Sequence, residues 1–369
     1  MSAGRRRVLV ARLDNDGDVL LAGPAIRAVA ASGAHVTLLC GPRGRAAAEL
    51  LPGVDELLVH RAEWIDPEPR PFSPQPSYAL VRDVAALAPH EAVVFTSLHQ
   101  SPLPLALLLR LAGVPRIGAT SADYPGSLLD VRHQIDDDVH EVERSHSLVV
   151  AMGYRLPAGD DGALRIEHGA ARRPPLPPAP YVVVHPGASV SARAWAPVRH
   201  AELVKALRDE GRTVVVTGSP AERALTRFVC AGRDAGPKGL ERRPDAARAA
   251  RLDVSRSLDF GGQTDLAGLA ETIAGAAAVV VGNTGPAHLA SAVGTPVVSL
   301  YAPTVPAVRW RPWQVPHVLL HEAVPCAGCR ARDCPVPGHP CIDHLPLKGV
   351  LDAIDHVVKA ALTTEASVA

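Results

Sequence analysis

The chain has 369 residues, which at roughly 100–200 residues per domain predicts two domains. Hydrophobic residues at 47% and charged residues at 21% are ordinary for a globular chain, and 38 basic residues balance 38 acidic ones. A net charge of zero excludes a global attraction to nucleic acid or to an anionic membrane, and the excess of Arg over Lys reads as the coding bias of a GC-rich genome.

Arg5, Arg6 and Arg7 precede an apolar run, as in a signal peptide, but Arg12 and Asp14 cut that run short of the roughly 7–15 residues an export signal needs. No later segment approaches the roughly 18 uninterrupted apolar residues of a spanning helix. The expectation is a cytoplasmic protein, with room for peripheral membrane contact through a local basic patch. Residues 7–11 predict a short buried strand, 13–18 a polar turn, and 19–32 a helix in which Pro24 marks a kink or a start. Strands are predicted at 35–40, 54–59 and 92–96, a helix at 43–51, and a Pro-rich loop at 66–77. Residues 172–180, with five prolines, read as a linker. Beyond it strands are expected at 181–184, 213–217, 276–281 and 297–301, with helices at 200–209, 222–230 and 286–293. Residues 231–257, rich in Gly, Pro and Arg, read as an exposed loop or frayed helix.

Two sets of alternating strands and helices predict an α/β chain of two doubly wound parallel sheets, with ligands at the carboxyl ends of the strands. The expected division is an N-terminal Rossmann-like domain over 1–172, a linker over 173–180, a C-terminal Rossmann-like domain over 181–346, and a helix and tail over 347–369. Two lobes around one hinge place the expected site in the cleft.

Four motifs carry candidate chemistry. Arg12-Leu13-Asp14-Asn15-Asp16-Gly17-Asp18 links a strand to a helix, and Asp18 falls near the helix start, where a carboxylate either caps the helix or does acid–base work. The segment is neither an EF-hand, for want of a closing Glu, nor a G-x-G-x-x-G fingerprint. His185-Pro186-Gly187-Ala188-Ser189 ends a strand in a turn whose backbone N–H groups and hydroxyl suit phosphate, and Arg193 adds a permanent planar cation. Asn283-Thr284-Gly285-Pro286 follows another strand and opens a helix, offering an N-terminus and a hydroxyl to an anion, with His288 in the first turn. Cys326, Cys329, Cys334 and Cys341 fit three readings: a structural zinc site, a disulfide, or reduced thiols.

The first three motifs, in this order and spacing, resemble glycosyltransferase family 9, which includes ADP-heptose:lipopolysaccharide heptosyltransferases. The resemblance runs from V-L-V-A-R-L-x4-G-D-V through H-P-G-A-S-x3-R-A-W to G-N-T-G-P-A-H, and the Cys-rich stretch resembles one found in part of the family. It implies a GT-B fold, two Rossmann-like domains facing a central cleft, and inverting transfer of a heptose or related sugar from an ADP donor. It implies Asp18 as catalytic base, Arg193 as the basic donor-phosphate residue where the family commonly has Lys, and Ala188 and Ser189 as the phosphate-facing turn. Glu222 is the implied ribose contact, and Asn283, Thr284, Gly285 and His288 stand on the family's Asp-Thr-Gly-x2-His element, with Asn for Asp. The donor site is then in the C-terminal domain and the acceptor, a glycan, lipid-linked molecule or small molecule, in the N-terminal one. No cofactor is required, because fixed cations and helix dipoles serve the leaving group. A nucleotide-sugar hydrolase or epimerase of the same fold, and a non-catalytic nucleotide-sugar-binding protein, are the alternatives. The acceptor and the oligomeric state are not written in the residues.

Overall fold

The computed structural model describes residues 5–97, 99–167, 169–232 and 256–368. The chain divides into two compact units, Met1–Glu167 and His168–Ala369. The expected exposed stretch at 231–257 lies almost wholly outside the described residues.

Unit 1 is built on a six-stranded sheet in the order β3-β2-β1-β4-β5-β6, every neighbouring pair parallel. Its strands are β1 (Arg7–Arg12), β2 (His35–Cys40), β3 (Glu56–Val59), β4 (Glu91–Phe95), β5 (Ile117–Thr120) and β6 (Val131–His133). Its helices are α1 (Asp16–Leu21), α2 (Gly23–Ala30), α3 (Arg45–Ala48), α4 (Pro74–Leu87), α5 (Leu103–Leu111) and α6 (Glu141–Ala151). β1 and β4 are central and buried on both faces, so they read as near-continuous apolar runs. Leu9, Val94, Leu105 and Leu109 join in the core beneath them.

Unit 2 repeats the plan with β7 (Tyr181–His185), β8 (Thr213–Val216), β9 (Ser257–Asp259), β10 (Ala278–Gly282), β11 (Val297–Leu300) and β12 (His317–Leu320). Its order, β12-β11-β10-β7-β8-β9, is again all parallel. The helices are α7 (Pro197–Asp209), α8 (Arg223–Ala231), α9 (Leu266–Ala274), α10 (Gly285–Ala292), α11 (Ala307–Trp310) and α12 (Leu347–Val368). Val-rich β7, β8 and β10 suit a doubly covered sheet, and Leu203, Leu207, Ile354 and Val357 of α7 and α12 close one face.

Both units have the doubly wound order in which the chain reverses direction across the sheet next to its first strand. In unit 1 that switch point lies between β1 and β4, and in unit 2 between β7 and β10. The three Gly-containing motifs follow β1, β7 and β10, so sequence order alone delivers them to the two switch points. These are the two doubly wound halves of a GT-B fold.

Three local expectations differ. The helix expected over 19–32 is two, α1 and α2, because Gly23-Pro24 starts a new helix and Pro24 needs no N–H partner in its first turn. The helix expected over 43–51 contracts to α3, with Gly44 as its N-cap and only a turn following Ala48. The expected loop at 66–77 stops early, because Pro74 and Pro76 sit in the first turn of α4, where their missing donors cost nothing.

Candidate functional site

At the switch point of unit 1, Arg12 ends β1 with 1% exposure. A buried cation requires paired charge, and three carboxylates supply it: Asp14 and Asp18 at 2.9 Å each, and Glu141 at 3.7 Å. Burial alone would lower the Arg12 pKa, but these anions outweigh it and hold the guanidinium above its ordinary value. Ser97, just past β4, accepts a further bond from Arg12 at 2.9 Å. Burial pushes the Asp14 carboxyl up, opposed by Arg12 and by Gln100, whose amide donates to it at 2.5 Å. Glu141 comes from the start of α6, where the His140 side chain caps the helix.

The three acids of the first motif therefore do different things. Asp14 and Asp18 face Arg12, whereas Asp16 accepts from the backbone N–H of Ala47 in α3 at 3.0 Å. None caps α1, whose N-cap Asn15 makes no side-chain cap bond. Asp18 commits one oxygen, Oδ1, to Arg12, and its side chain is 21% exposed. Its other oxygen has no partner among the described residues. A carboxylate held at one oxygen and wet at the other has the geometry to take a proton from a bound hydroxyl.

At the switch point of unit 2, β7 and β10 pair in register, His185 opposite Val281, so the second and third motifs meet. A β-carbon on Gly282 would stand 2.9 Å from the Arg193 carbonyl, so only glycine lets the two backbones approach this closely. Arg193 closes a short 3-10 turn, Ser191–Arg193, and its Nε donates to Thr304 Oγ1, in the loop after β11, at 3.3 Å. Asn283 is buried and donates to the Ala302 carbonyl at 3.4 Å, while its Oδ1 has no hydrogen-bond partner among the described residues. Thr284 occupies the N-cap of α10 without capping it, and its Oγ1 is also buried and unpartnered. Buried polar atoms are nearly always satisfied. Thr284 Oγ1, next to a cation and a helix N-terminus, can donate to an anion, whereas Asn283 Oδ1, an acceptor, suits a donor such as a hydroxyl.

The remaining expected residues surround this point. Ala188 and Ser189 lie in the loop after β7, Ser189 exposed. Gly285 is the first residue of α10, and His288 lies buried in its first turn. Glu222 packs against Gly187, and its Oε2 accepts the Ser219 N–H at 2.7 Å, so its carboxylate stands beside the phosphate-type turn. Below, His185 Nδ1 pairs with Thr217 Oγ1 at 3.0 Å. Burial lowers the pKa of His185, and burial with help from His185 pushes His200 down to about 3, so both are neutral packing groups. Trp195, the aromatic of the second motif, is buried edge-on against His200.

Cys326, Cys329, Cys334 and Cys341 line one small cavity with His339, and all four are free thiols. Burial and the neighbouring Cys334 push the Cys341 thiol up to about 11. Among the described residues no group of three or more His, Cys, Asp or Glu side chains is arranged to hold a metal ion. Arg12, Ser97, Gln100, Glu141 and Thr304 were not expected from sequence. Only Arg12 carried a signal, a charged residue closing a buried strand.

The family description of glycosyltransferase family 9 (heptosyltransferase) matches residues 98–339, more than half of the chain, and the chain belongs to that family. The matched stretch includes the unit 2 motifs and leaves Asp18 outside. Over 199 residues the chain is 35% identical to lipopolysaccharide heptosyltransferase 1 of Pseudomonas aeruginosa, covering 53% of this chain and 48% of that one. The alignments thus span about a third to a half of the curated relatives' lengths. The structure resembles Escherichia coli ADP-heptose LPS heptosyltransferase II, with a TM-score of 0.70 and 18% identity over 96% of this chain and 99% of that one. It also resembles E. coli heptosyltransferase WaaC with ADP-2-deoxy-2-fluoro heptose, with a TM-score of 0.66 and 19% identity over 95% and 99%. At these identities the likeness is one of GT-B fold. No helix among the described residues is long and apolar enough to cross a membrane.

Proposed function

We propose that this chain is an inverting glycosyltransferase that moves a heptose or related sugar from an ADP donor to a hydroxyl acceptor on a glycan, such as a lipopolysaccharide core, with Asp18 as general base. The observation that carries the reading is the switch point of unit 2, where Arg193, the unpartnered Asn283 Oδ1 and Thr284 Oγ1, and the start of α10 come together. Family membership supports the reaction class, and the likeness to WaaC, solved with an ADP-heptose analogue, supports an ADP-sugar donor.

In the proposed reaction the acceptor oxygen attacks the anomeric carbon, the bond from that carbon to the diphosphate breaks, and the hydroxyl proton passes to the Asp18 carboxylate. Arg12 holds Asp18 by Oδ1, which directs Oδ2 to the incoming hydroxyl. The charge that develops on the departing ADP is met by the Arg193 guanidinium, the Ser189 and Thr284 hydroxyls and the N–H groups at Gly285. Glu222 receives the ribose hydroxyls, His288 orients the diphosphate, and Asn283 Oδ1, an acceptor, takes a hydroxyl of the donor. The acceptor is taken by unit 1.

Calorimetric titration with ADP, UDP, GDP and ADP-heptose tests this reading. Selective binding of the adenine nucleotides, weakened at least tenfold by Arg193→Ala, supports it. Equal binding of all three diphosphates, or none, overturns it. Sugar release from ADP-heptose at the same rate with and without acceptor would identify a hydrolase instead.

A further inference from the structure

Residues 321–346 connect β12 to α12, and the proposed reaction uses none of their side chains. Their hydrogen bonds nevertheless converge on the turn that carries Arg193. Ala192 is gripped at both of its backbone groups: its N–H donates to the Arg332 carbonyl at 2.9 Å, and its carbonyl lies 3.1 Å from His339 Nε2. Since a carbonyl only accepts, that ring nitrogen carries its proton and donates. The other ring nitrogen, Nδ1, faces Asp343 Oδ2 at 3.9 Å, while Asp343 Oδ1 accepts the Ala196 N–H at 2.9 Å.

We infer that His339 and Asp343 form a two-point clamp that positions Arg193 for the donor diphosphate, an inference that rests on the reading of Arg193 given above. One His–Asp pair thus holds the backbone one residue before Arg193 and three residues after it. The same segment fixes the group that receives the Arg193 side chain, for Arg330 N–H donates to the Thr304 carbonyl at 3.0 Å and Gly328 N–H to Pro303 at 2.7 Å. On the far side, the bare Cα of Gly282 lets β10 close against the Arg193 carbonyl.

The local backbone accepts strain to make this arrangement. His339 has φ +42°, a left-handed conformation uncommon for a residue with a β-carbon, and follows Gly338 at φ +77°, which glycine adopts freely. Here it turns the His339 ring onto Ala192. The benefit is pre-organisation: a flexible Arg whose backbone and Nε are fixed beforehand loses less freedom when it meets a phosphate. His339 and Asp343 are positioning residues, since they act through Arg193.

The test is ADP titration of the full-length protein carrying His339→Leu or His339→Gln, alone and combined with Arg193→Ala, with melting temperatures recorded on the same samples. His339→Leu should weaken ADP about three- to tenfold, the scale of one lost neutral hydrogen bond. His339→Gln, whose amide nitrogen still reaches the Ala192 carbonyl, should stay within about threefold of wild type. In the Arg193→Ala background His339→Leu should add nothing. Unchanged affinity in His339→Leu, or a loss that adds fully to that of Arg193→Ala, would overturn the clamp while leaving the reading of Arg193 intact. An Arg193→Ala protein that binds ADP like wild type would overturn that reading and the clamp with it. Asp343→Ala carries the same comparison from the other end should His339→Leu fail to fold.

Discussion

Replacing Arg12 with methionine removes the cation that three carboxylates share and leaves its volume nearly filled. Arg12 is 1% exposed, and the side chains of Asp14 and Glu141 are 8% and 1% exposed. Breaking a buried ion pair at one partner costs about 3–5 kcal/mol, because the remaining charges stay desolvated. For a unit of this size each kcal/mol is worth roughly 2–4 °C, so the melting temperature near pH 8 should fall by about 6–20 °C. The pH dependence has a fixed sign. Burial raises the Asp14 carboxyl above its unfolded value and Arg12 opposes that rise, so without Arg12 the neutral form of Asp14 favours the fold. That support is present at low pH and is lost as pH rises through the raised value. The deficit of Arg12→Met should therefore be small at pH 4.5 and largest at pH 8, and Asp14→Asn added to it should recover part of the loss. Differential scanning fluorimetry across pH reads all of this. A fall under about 2 °C at pH 8, or an equal fall at both pH values, would refute the argument.

Asp16 offers a second pH test: burial pushes its carboxyl up to about 6, with only the Ala47 N–H opposing. Its folded value lies above the unfolded one, so wild type loses stability as pH rises through about 6, and Asp16→Asn, which keeps the acceptor, should melt with wild type at pH 4 and be about 1–3 kcal/mol more stable at pH 8 by chemical denaturation. Thr284→Val deletes a buried hydroxyl that serves neither the cap nor a neighbour. Stability should hold within about 0.5 kcal/mol or rise, while ADP affinity measured by calorimetry drops about five- to tenfold.

The fold was legible because its signals are local. Strand runs such as Tyr181-Val182-Val183-Val184 and prolines at helix starts, as in Gly285-Pro286, need only neighbours in sequence to be read, and the order of strands and helices then dictates a doubly wound sheet. The donor-type residues were legible for the same reason, each standing within a few positions of a strand's end. What sequence did not disclose is what long-range pairing decides. Glu141 reaches Arg12 across most of unit 1, Thr304 meets Arg193 only because β11 lies beside β10, and His339 meets Ala192 through a loop far along the chain. The capping role weighed for the acids of the first motif falls to Asp16 alone, which accepts the Ala47 N–H in the first turn of α3, and fails for Asp14 and Asp18 for a related reason. Buried Arg12 attracts Asp14 and Asp18 more strongly than solvated N–H groups at a helix end can.

Transfer from an ADP-sugar with Asp18 as base is tested by following ADP release from ADP-heptose with and without a panel of truncated lipopolysaccharide cores, for wild type and Asp18→Asn. Wild type should release ADP only with acceptor, while Asp18→Asn should lose about 10²–10⁴-fold in kcat and keep an ADP affinity within about twofold of wild type. An Asp18→Asn protein that turns over at the wild-type rate would contradict Asp18 as base.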